Sequence, residues 1–155
     1  MAIIKTIADA ERLVGEEVGL SDWMTITQEQ IDQFAAATGD DQWIHVDPVR
    51  AAKELPGGKT IAHGFLTLSL IPKLTANFVT FIGLQRTINF GCNKVRFSNM
   101  ISCGDRVRVR TTIQSARKRA GALYLVSEHR FEVDGVKKPV CTADTIVMYF
   151  LEGED

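Results

Sequence analysis

The sequence is short of the features that mark secreted, membrane and nucleic-acid-binding proteins. Its three cysteines, Cys92, Cys103 and Cys141, have the spacing of neither a disulfide framework nor a zinc site. Lys and Arg total 18 against 19 Asp and Glu, so no basic excess indicates nucleic acid. No apolar run reaches transmembrane length, and charges interrupt the N-terminal apolar stretch, unlike a signal peptide. We therefore expect a cytoplasmic protein with no nucleic acid and no membrane as partners.

The composition that remains is that of an ordinary globular protein. Hydrophobic residues make up 45% of the 155 residues and charged residues 24%. This length is enough for one domain with a substantial core, so we predict a single domain over 1–155.

Helix signals dominate the first half of the chain. Thr27 and Gln30 form a capping box, which predicts a helix over 28–38, and Gly39 can take the left-handed conformation that ends it. Asp47 before Pro48 is typical of the N-cap of a second, shorter helix.

A third segment, 65–71, is apolar or small on every side, as in a helix at the centre of a fold. Pro72 should kink or end it. Strand patterns follow at 87–97, 106–113, 123–133 and 140–150, with a further candidate near 17–25. Strands that cluster after helices indicate an α+β domain whose antiparallel sheet curls around the central apolar helix.

Asp40 and His45 are the first candidates for catalysis. They lie five residues apart, just beyond the end of the 28–38 helix. A loop side chain can point into a cleft, and a carboxyl beside an imidazole provides two proton-transfer groups. The structural alternative is that Asp40 caps a turn, just as Asp47 caps a helix.

A second candidate group begins the apolar helix at His63 and Gly64. The backbone N–H of Gly64 has no side chain in front of it, so a carbonyl oxygen can approach, as in an oxyanion site. Ser69 either orients a carboxyl or a water, or donates to the backbone four residues earlier. For His63, a supporting or capping role is favoured over a catalytic one.

These segments resemble the MaoC-like dehydratases, which include the (R)-specific enoyl-CoA hydratases, over about Gly15 to Phe150. A further motif resembles the nodulation-protein-N-like branch. The residues that carry the two resemblances are Phe34-Ala35, Gly39-Asp40, Ile44 to Asp47, Ala62 to Gly64 and Ser69, and then Asn89 to Phe97 and Gly104 to Val107.

The resemblance implies a hot-dog fold, with the sheet wrapped around a long central helix. It also implies a catalytic pair on Asp40 and His45, a thioester-binding N–H on Gly64 and a supporting Ser69. Many (R)-hydratases have Asn-Pro where this chain has Gln42-Trp43, so we expect Trp43 to reshape the acyl pocket. Asp47 and His63 are further supporting candidates.

The implied reaction is reversible syn hydration of a trans-2-enoyl thioester to the (R)-3-hydroxyacyl thioester. His45 takes a proton from water and a partly desolvated Asp40 delivers one to C2, or the two exchange roles. No metal or redox cofactor is expected, since coenzyme A only carries the substrate. The alternatives are a hot-dog thioesterase, a non-catalytic acyl-thioester-binding subunit, or a metal site on His45, Asp47 and His63.

The expected partners are an acyl-CoA or acyl-carrier-protein thioester and a second copy of the chain. Open sheet edges favour pairing across a two-fold axis, and the resemblance implies an acyl tunnel at the subunit interface. Lys94 or Arg96 is the candidate contact for coenzyme A phosphates. The basic cluster 117–119, which precedes Ala120-Gly121 and is typical of a solvated hairpin tip, is an alternative. Solvated surface charge is favoured over a phosphate contact for both.

Overall fold

The computed structural model describes residues 1–153, and in them eight strands and six helices alternate unevenly along the chain. The strands are β1 (Ala2–Ile4), β2 (Glu17–Leu20), β3 (Met24–Thr25), β4 (Val79–Phe81), β5 (Leu84–Phe97), β6 (Arg106–Arg119), β7 (Ala122–Val133) and β8 (Cys141–Leu151). The helices are α1 (Ile7–Glu11), α2 (Gln28–Thr38), α3 (Trp43–Val46), α4 (Pro48–Glu54), α5 (Gly64–Ser69) and α6 (Ile71–Thr75). Within this range no helix is long and apolar enough to cross a membrane.

The main sheet is antiparallel, as the strand patterns predicted. Its order is β2-β6-β7-β8-β5, with β3 also paired to β6, whereas β1 and β4 form a separate parallel pair. β5 therefore lies at an edge, and most of its side chains are exposed. Ile88 and Phe90 on this strand are 46% and 51% exposed, which is unusual for large apolar side chains on a regular strand.

The sheet packs its inner face on the helices in the middle of the chain. Leu66, Leu70 and Ile71 share one buried cluster with sheet residues such as Val109 and Phe131. This contact places the apolar segment where its composition predicted. The α+β class and the sheet around a central helix are thus confirmed.

The central helix is shorter than expected, because it is divided. α5 ends at Ser69 and α6 starts at Ile71, with Pro72 in the first turn of α6. Proline has no N–H to donate to the carbonyl four residues earlier, and its ring clashes with that carbonyl, so Pro72 favours a break in the helix here. Phe65 is 66% exposed, so the prediction of burial on every side was wrong for one side of α5.

The helix boundaries read from capping patterns were accurate. Thr27 Oγ1 accepts the N–H of Gln30, the Gln30 side chain accepts the N–H of Thr27, and Gly39 ends α2 with φ of 75°. Asp47 Oδ1 accepts the N–H of Arg50 at 2.9 Å and so caps α4. Each interaction spans three residues, which is why local sequence was sufficient to predict it.

Two parts of the fold differ from the expectation. The basic cluster 117–119 was placed at a hairpin tip, but it forms the last three residues of β6, and the turn is Ala120-Gly121 with φ of 49° and 70°. The N-terminal strand β1 and helix α1 were not predicted. The signal was present, since Thr6 and Asp9 form a second capping box.

Candidate functional site

His45 is held with one ring nitrogen open for chemistry. It lies on α3 and is 8% exposed, with Nδ1 2.6 Å from the carbonyl oxygen of Ile61. A carbonyl only accepts, so Nδ1 must carry the proton and donate. Nε2 is therefore the unprotonated nitrogen of the neutral ring, and its lone pair is available to accept a proton.

His63 packs directly against His45. The two rings stack with their centroids 3.8 Å apart and an angle of 25° between their planes. Nε2 of His63 lies 2.8 Å from the carbonyl oxygen of Asp40 and, by the same reasoning, donates to it. Nδ1 of His63 is buried and has no hydrogen-bond partner among residues 1–153. His63 therefore ties the start of α5 to the loop that carries Asp40.

Asp40 completes the group. It follows Gly39 at the end of α2, and its N–H donates to Oγ1 of Thr38 at 3.4 Å. One carboxylate oxygen of Asp40 and one nitrogen of each histidine all lie within 4.8 Å of one another. The structure thus brings Asp40 and His45 together, with His63 as a third member. The Asp40 side chain is exposed in the single chain, which differs from the partial desolvation expected.

A hydrogen-bonded clamp that the sequence did not reveal holds the backbone of His45. The hydroxyl of Thr60 donates to Oε1 of Gln28 at 2.5 Å, and Nε2 of Gln28 donates to the carbonyl oxygen of His45 at 2.7 Å. The N–H of Ile61 donates to the carbonyl oxygen of Ile44 at 3.0 Å. Because 32 residues separate Gln28 from Thr60, no local pattern indicates this pair.

A cavity of about 390 Å³ opens beside His45 and Gly64. It is lined by residues just before and within α5, at the end of β5 and in the segment after it, and at the start of β8, namely Ile61, Ala62, Thr67, Phe97, Ser98, Asn99, Met100, Ile101, Val140 and Cys141. Burial raises the pKa of the Cys141 thiol to about 11, so this cysteine is protonated at neutral pH and is no nucleophile. Asp40 is outside the lining of this cavity in the single chain.

Gly64 is the first residue of α5, where backbone N–H groups lack a partner within the helix. A Cβ atom on Gly64 would lie 3.0 Å from the ring of Phe97, closer than side chains normally pack. The glycine therefore also serves close packing.

Two of the supporting residues, Ser69 and Asp47, and the expected pocket residue Trp43 do not join the group. Oγ of Ser69 donates to the carbonyl oxygen of Phe65 at 2.7 Å and is exposed, so the backbone-bonding alternative describes it. Asp47 is engaged as the cap of α4. The Trp43 ring lies under the guanidinium of Arg50, 4.1 Å from its centroid, and is not part of the cavity lining.

The two candidate phosphate contacts lie on the exposed edge strand. Lys94 has φ of 50°, and its Nζ lies 3.5 Å from Oδ2 of the buried Asp144. Nη1 of Arg96 donates to the carbonyl oxygen of Val95 at 2.8 Å. Lys94 thus already pairs with a carboxylate, whereas the Arg96 guanidinium donates to a backbone carbonyl of its own strand.

Comparison with known proteins agrees with this architecture. The family model for the MaoC-like domain matches residues 9–130. The 3-hydroxyacyl-thioester dehydratase Z of Mycobacterium tuberculosis is 46% identical over 150 residues, covering 96% of this chain and 99% of the relative. The nodulation protein N of Rhizobium leguminosarum bv. viciae is 38% identical, covering 97% and 94%.

Among solved structures, the unliganded R-hydratase PhaJ1 from Pseudomonas aeruginosa superposes with a TM-score of 0.74 at 25% identity, covering 96% of this chain and 87% of that one. The hot-dog fold is thereby confirmed. This chain belongs to the MaoC-like dehydratase family, as its motifs indicated, and nodulation-protein-N relatives are among its matches.

Proposed function

We propose that this protein is an (R)-specific hydratase and dehydratase of acyl thioesters, that is, a hydro-lyase. It adds water to a trans-2-enoyl thioester and, in reverse, removes it from the (R)-3-hydroxyacyl thioester. The observation that carries the proposal is His45, which lines a mainly apolar cavity, has its Nε2 open, and has a ring nitrogen within 4.8 Å of an Asp40 carboxylate oxygen. The 46% identity to a protein named 3-hydroxyacyl-thioester dehydratase supports the reaction class.

In the forward reaction, one water molecule is activated between the two groups. Nε2 of His45 accepts a proton from this water as its oxygen forms a bond to C3. The electron pair of the C2–C3 double bond moves toward the thioester, and the acid form of Asp40 delivers a proton to C2. The tautomer of His45 favours this assignment of roles, since its Nδ1 already carries a proton directed at Ile61.

The N–H of Gly64 is proposed to stabilise the negative charge that develops on the thioester oxygen. It lies at the start of α5, where free N–H groups and the helix dipole favour a negative charge. Such a donor typically contributes about 2.7–4 kcal/mol of transition-state stabilisation. The reaction is proposed to need no metal or redox cofactor, because the thioester itself activates the double bond.

The active unit is proposed to be a homodimer paired along the β5 edge. This edge has no strand partner in the main sheet of residues 1–153, and Ile88, Phe90 and Phe97 on it are about half exposed. A second copy would bury this surface, and the exposed Asp40 leaves room for a partner to complete the site. Sedimentation equilibrium at micromolar concentration should show a dimer; a stable and active monomer contradicts it.

Arg96, and to a smaller extent Lys94, is proposed to contact the phosphates of coenzyme A. Removing either charge should raise KM for a CoA substrate more at low salt than at high salt, because screening weakens phosphate attraction. Since Lys94 already pairs with Asp144, we expect the Lys94→Gln effect to be the smaller one. Unchanged KM for both variants at low ionic strength contradicts the contact.

One assay tests the proposed function. Purified protein is incubated with enoyl-CoA substrates of increasing chain length, starting from crotonyl-CoA, and both the enoyl absorbance and free thiol are followed. Loss of absorbance without thiol, and an (R) product, are expected, and Asp40→Asn should abolish the signal.

Release of free thiol identifies a thioesterase. If no reaction occurs at any chain length, with the substrate carried on either coenzyme A or acyl carrier protein, the protein is instead a non-catalytic acyl-thioester-binding subunit. Either of these results overturns the proposal.

A further inference from the structure

The loop that carries the proposed acid has one hydrogen bond to a distant part of the chain. Residues 39–42 join α2 to α3, and all four are exposed. The N–H of Asp40 makes a long local bond, 3.4 Å to Oγ1 of Thr38. Among the hydrogen bonds of residues 1–153, the 2.8 Å bond from Nε2 of His63 to the carbonyl oxygen of Asp40 is the only one that joins this loop to a residue more than five positions away.

His63 is itself held firmly. Its side chain is 3% exposed, and its ring contacts rings from two helices: Phe34 of α2, with centroids 5.0 Å apart, and His45 of α3, with centroids 3.8 Å apart. Side chains in such close-packed surroundings have little freedom to move. The next residue is Gly64, which starts α5. His63 is therefore a fixed point next to Gly64 from which the exposed loop is held.

The proposed reaction depends on the spacing between this loop and α5. C2, which receives the proton from Asp40, is bonded directly to the thioester carbon, whose oxygen accepts from the N–H of Gly64. The distance from the Asp40 carboxyl to the Gly64 N–H must therefore match the substrate closely. A catalytic group that is displaced by about 1 Å can cost about 10²-fold in rate.

We propose that His63 is a positioning residue of the hydration reaction. Its Nε2–H, acting through the Asp40 carbonyl, sets the Asp40 carboxyl relative to the Gly64 N–H and so decides which face of C2 receives the proton. His63 neither contacts the substrate nor transfers a proton in this role. Its stacking on His45 fixes it to the proposed base as well. The role rests on the proposed function, because it refers to the same acid and the same thioester.

The hydrogen bond is tested without substrate, by NMR of the isotopically labelled full-length protein. Because a carbonyl only accepts, neutral His63 must carry its proton on Nε2, whereas His45 carries its proton on Nδ1. The two stacked rings should thus show opposite tautomers. Backbone order parameters of residues 39–42 should be about 0.85 in the unmodified protein and fall below about 0.6 in His63→Met, which has no donor.

Kinetics test the effect on the reaction. His63→Met should lower kcat about 10²-fold with KM nearly unchanged, because the acid is displaced while the substrate contacts remain. His63→Gln should recover most of kcat, since its amide can donate to the same carbonyl.

Hydration of crotonyl-CoA in heavy water gives a readout that a purely structural role would not change. C2 takes up a deuteron and C3 takes up the OD group. NMR of the product should show a single diastereomer at C2 for the unmodified protein and for His63→Gln. For His63→Met it should show a mixture, because the deuteron is no longer delivered from a fixed position.

His129→Met is the matched control. It makes the same replacement at a histidine that is equally buried, 3% exposed, but lies on β7 in the middle of the sheet. It should lower the melting temperature, because it leaves two hydroxyl groups without their partner. It should keep both kcat per folded molecule and the single diastereomer.

Four results would overturn the positioning role: a proton on Nδ1 of neutral His63, an unchanged loop and kcat in His63→Met, no recovery in His63→Gln, or an equal loss of kcat per folded molecule in His129→Met. A protein that turns over no enoyl thioester would refute the proposed function instead. The tautomer and the order parameters would then still decide whether His63 holds the loop.

Discussion

The three histidines of this chain are all buried, but they lie in two regions that differ in how the imidazole nitrogens are hydrogen-bonded. At the candidate site, His45 and His63 each donate one N–H to a backbone carbonyl, and the other nitrogen of each ring has no partner among residues 1–153. In the middle of the sheet, His129 has both nitrogens on hydroxyl groups: Nδ1 is 2.9 Å from Thr111 Oγ1, and Nε2 is 2.8 Å from Thr145 Oγ1.

The two regions also differ in how the ring is surrounded. His129 lies on β7 between β6 and β8, so rigid strands hold it on both sides, and burial lowers its pKa to about 4. The site histidines lie instead on a short helix and at the start of another, next to a cavity. Burial alone therefore does not identify a functional histidine. An unused nitrogen beside a cavity and a carboxylate is the feature that makes a histidine a candidate for function.

The largest expected difference between the regions is in turnover. Asp40→Asn and His45→Gln should each lower kcat by about 10²–10⁴-fold, the usual contribution of a general acid or base, while the protein remains folded. His129→Gln should keep kcat per folded molecule, because its nitrogens serve the sheet. Steady-state kinetics beside circular dichroism measure this. Near-normal turnover in both site variants would remove the catalytic assignment.

Gly64 tests whether the start of α5 serves chemistry or packing. Gly64→Val should lower kcat by about 10²–10³-fold if its N–H holds the thioester oxygen. It should also lower the melting temperature, because its Cβ would lie 3.0 Å from the Phe97 ring. We therefore expect the valine variant to lose folded protein as well as turnover.

The pair Gly64→Ala and Phe97→Leu separates the two effects, with Phe97→Leu alone as the control. Relieving the contact should restore the melting temperature of the alanine variant and leave its turnover low. If turnover returns together with stability, Gly64 acts through packing only.

The lowered pKa of His129 predicts a pH dependence of the protein's stability. The unfolded chain takes up the proton near the ordinary pKa of 6.5, and the folded protein only near 4. The stabilising effect of the neutral ring is thus complete above about pH 6.5 and is lost as pH falls toward 4, reaching about 3 kcal/mol.

Urea unfolding of the unmodified protein and of His129→Gln, between about pH 7 and pH 5, measures this effect. The difference in unfolding free energy between the two should shrink as the pH falls. A constant difference over this range would show that His129 titrates normally in the folded state.

The smallest expected effect concerns the clamp behind His45. Thr60→Val removes one hydroxyl that donates to Gln28 and should destabilise the protein by about 0.5–1.5 kcal/mol. It should also lower kcat several-fold, because Gln28 then holds the His45 carbonyl less firmly.

Thr75→Val is the matched control for the clamp. Its hydroxyl donates to the carbonyl oxygen of Ile71, in α6 and outside the site. It should lose similar stability with unchanged kcat. Equal kcat in the two variants would show that the clamp has no part in positioning His45.

Much of the fold could be read from the sequence because its signals are local. The capping boxes, the glycine that ends α2, Asp47 before Pro48 and the alternation in β6 each depend on residues a few positions apart. The break in the central helix also followed from Pro72. The exposed side of α5 could not be predicted, because apolar composition does not indicate which face the sheet leaves uncovered.

At the site, the sequence determined the pair Asp40 and His45, since both lie just after one well-defined helix end. It also determined the family, through motifs that match residues 9–130. Tertiary structure decided the rest: the stacking of His63 on His45, the Gln28–Thr60 clamp, and the orientation of Ser69 and Trp43 away from the cavity lining. The physical reason is that these partners lie tens of residues apart in the chain. Packing of the whole fold, and not local sequence, decides which way their side chains point.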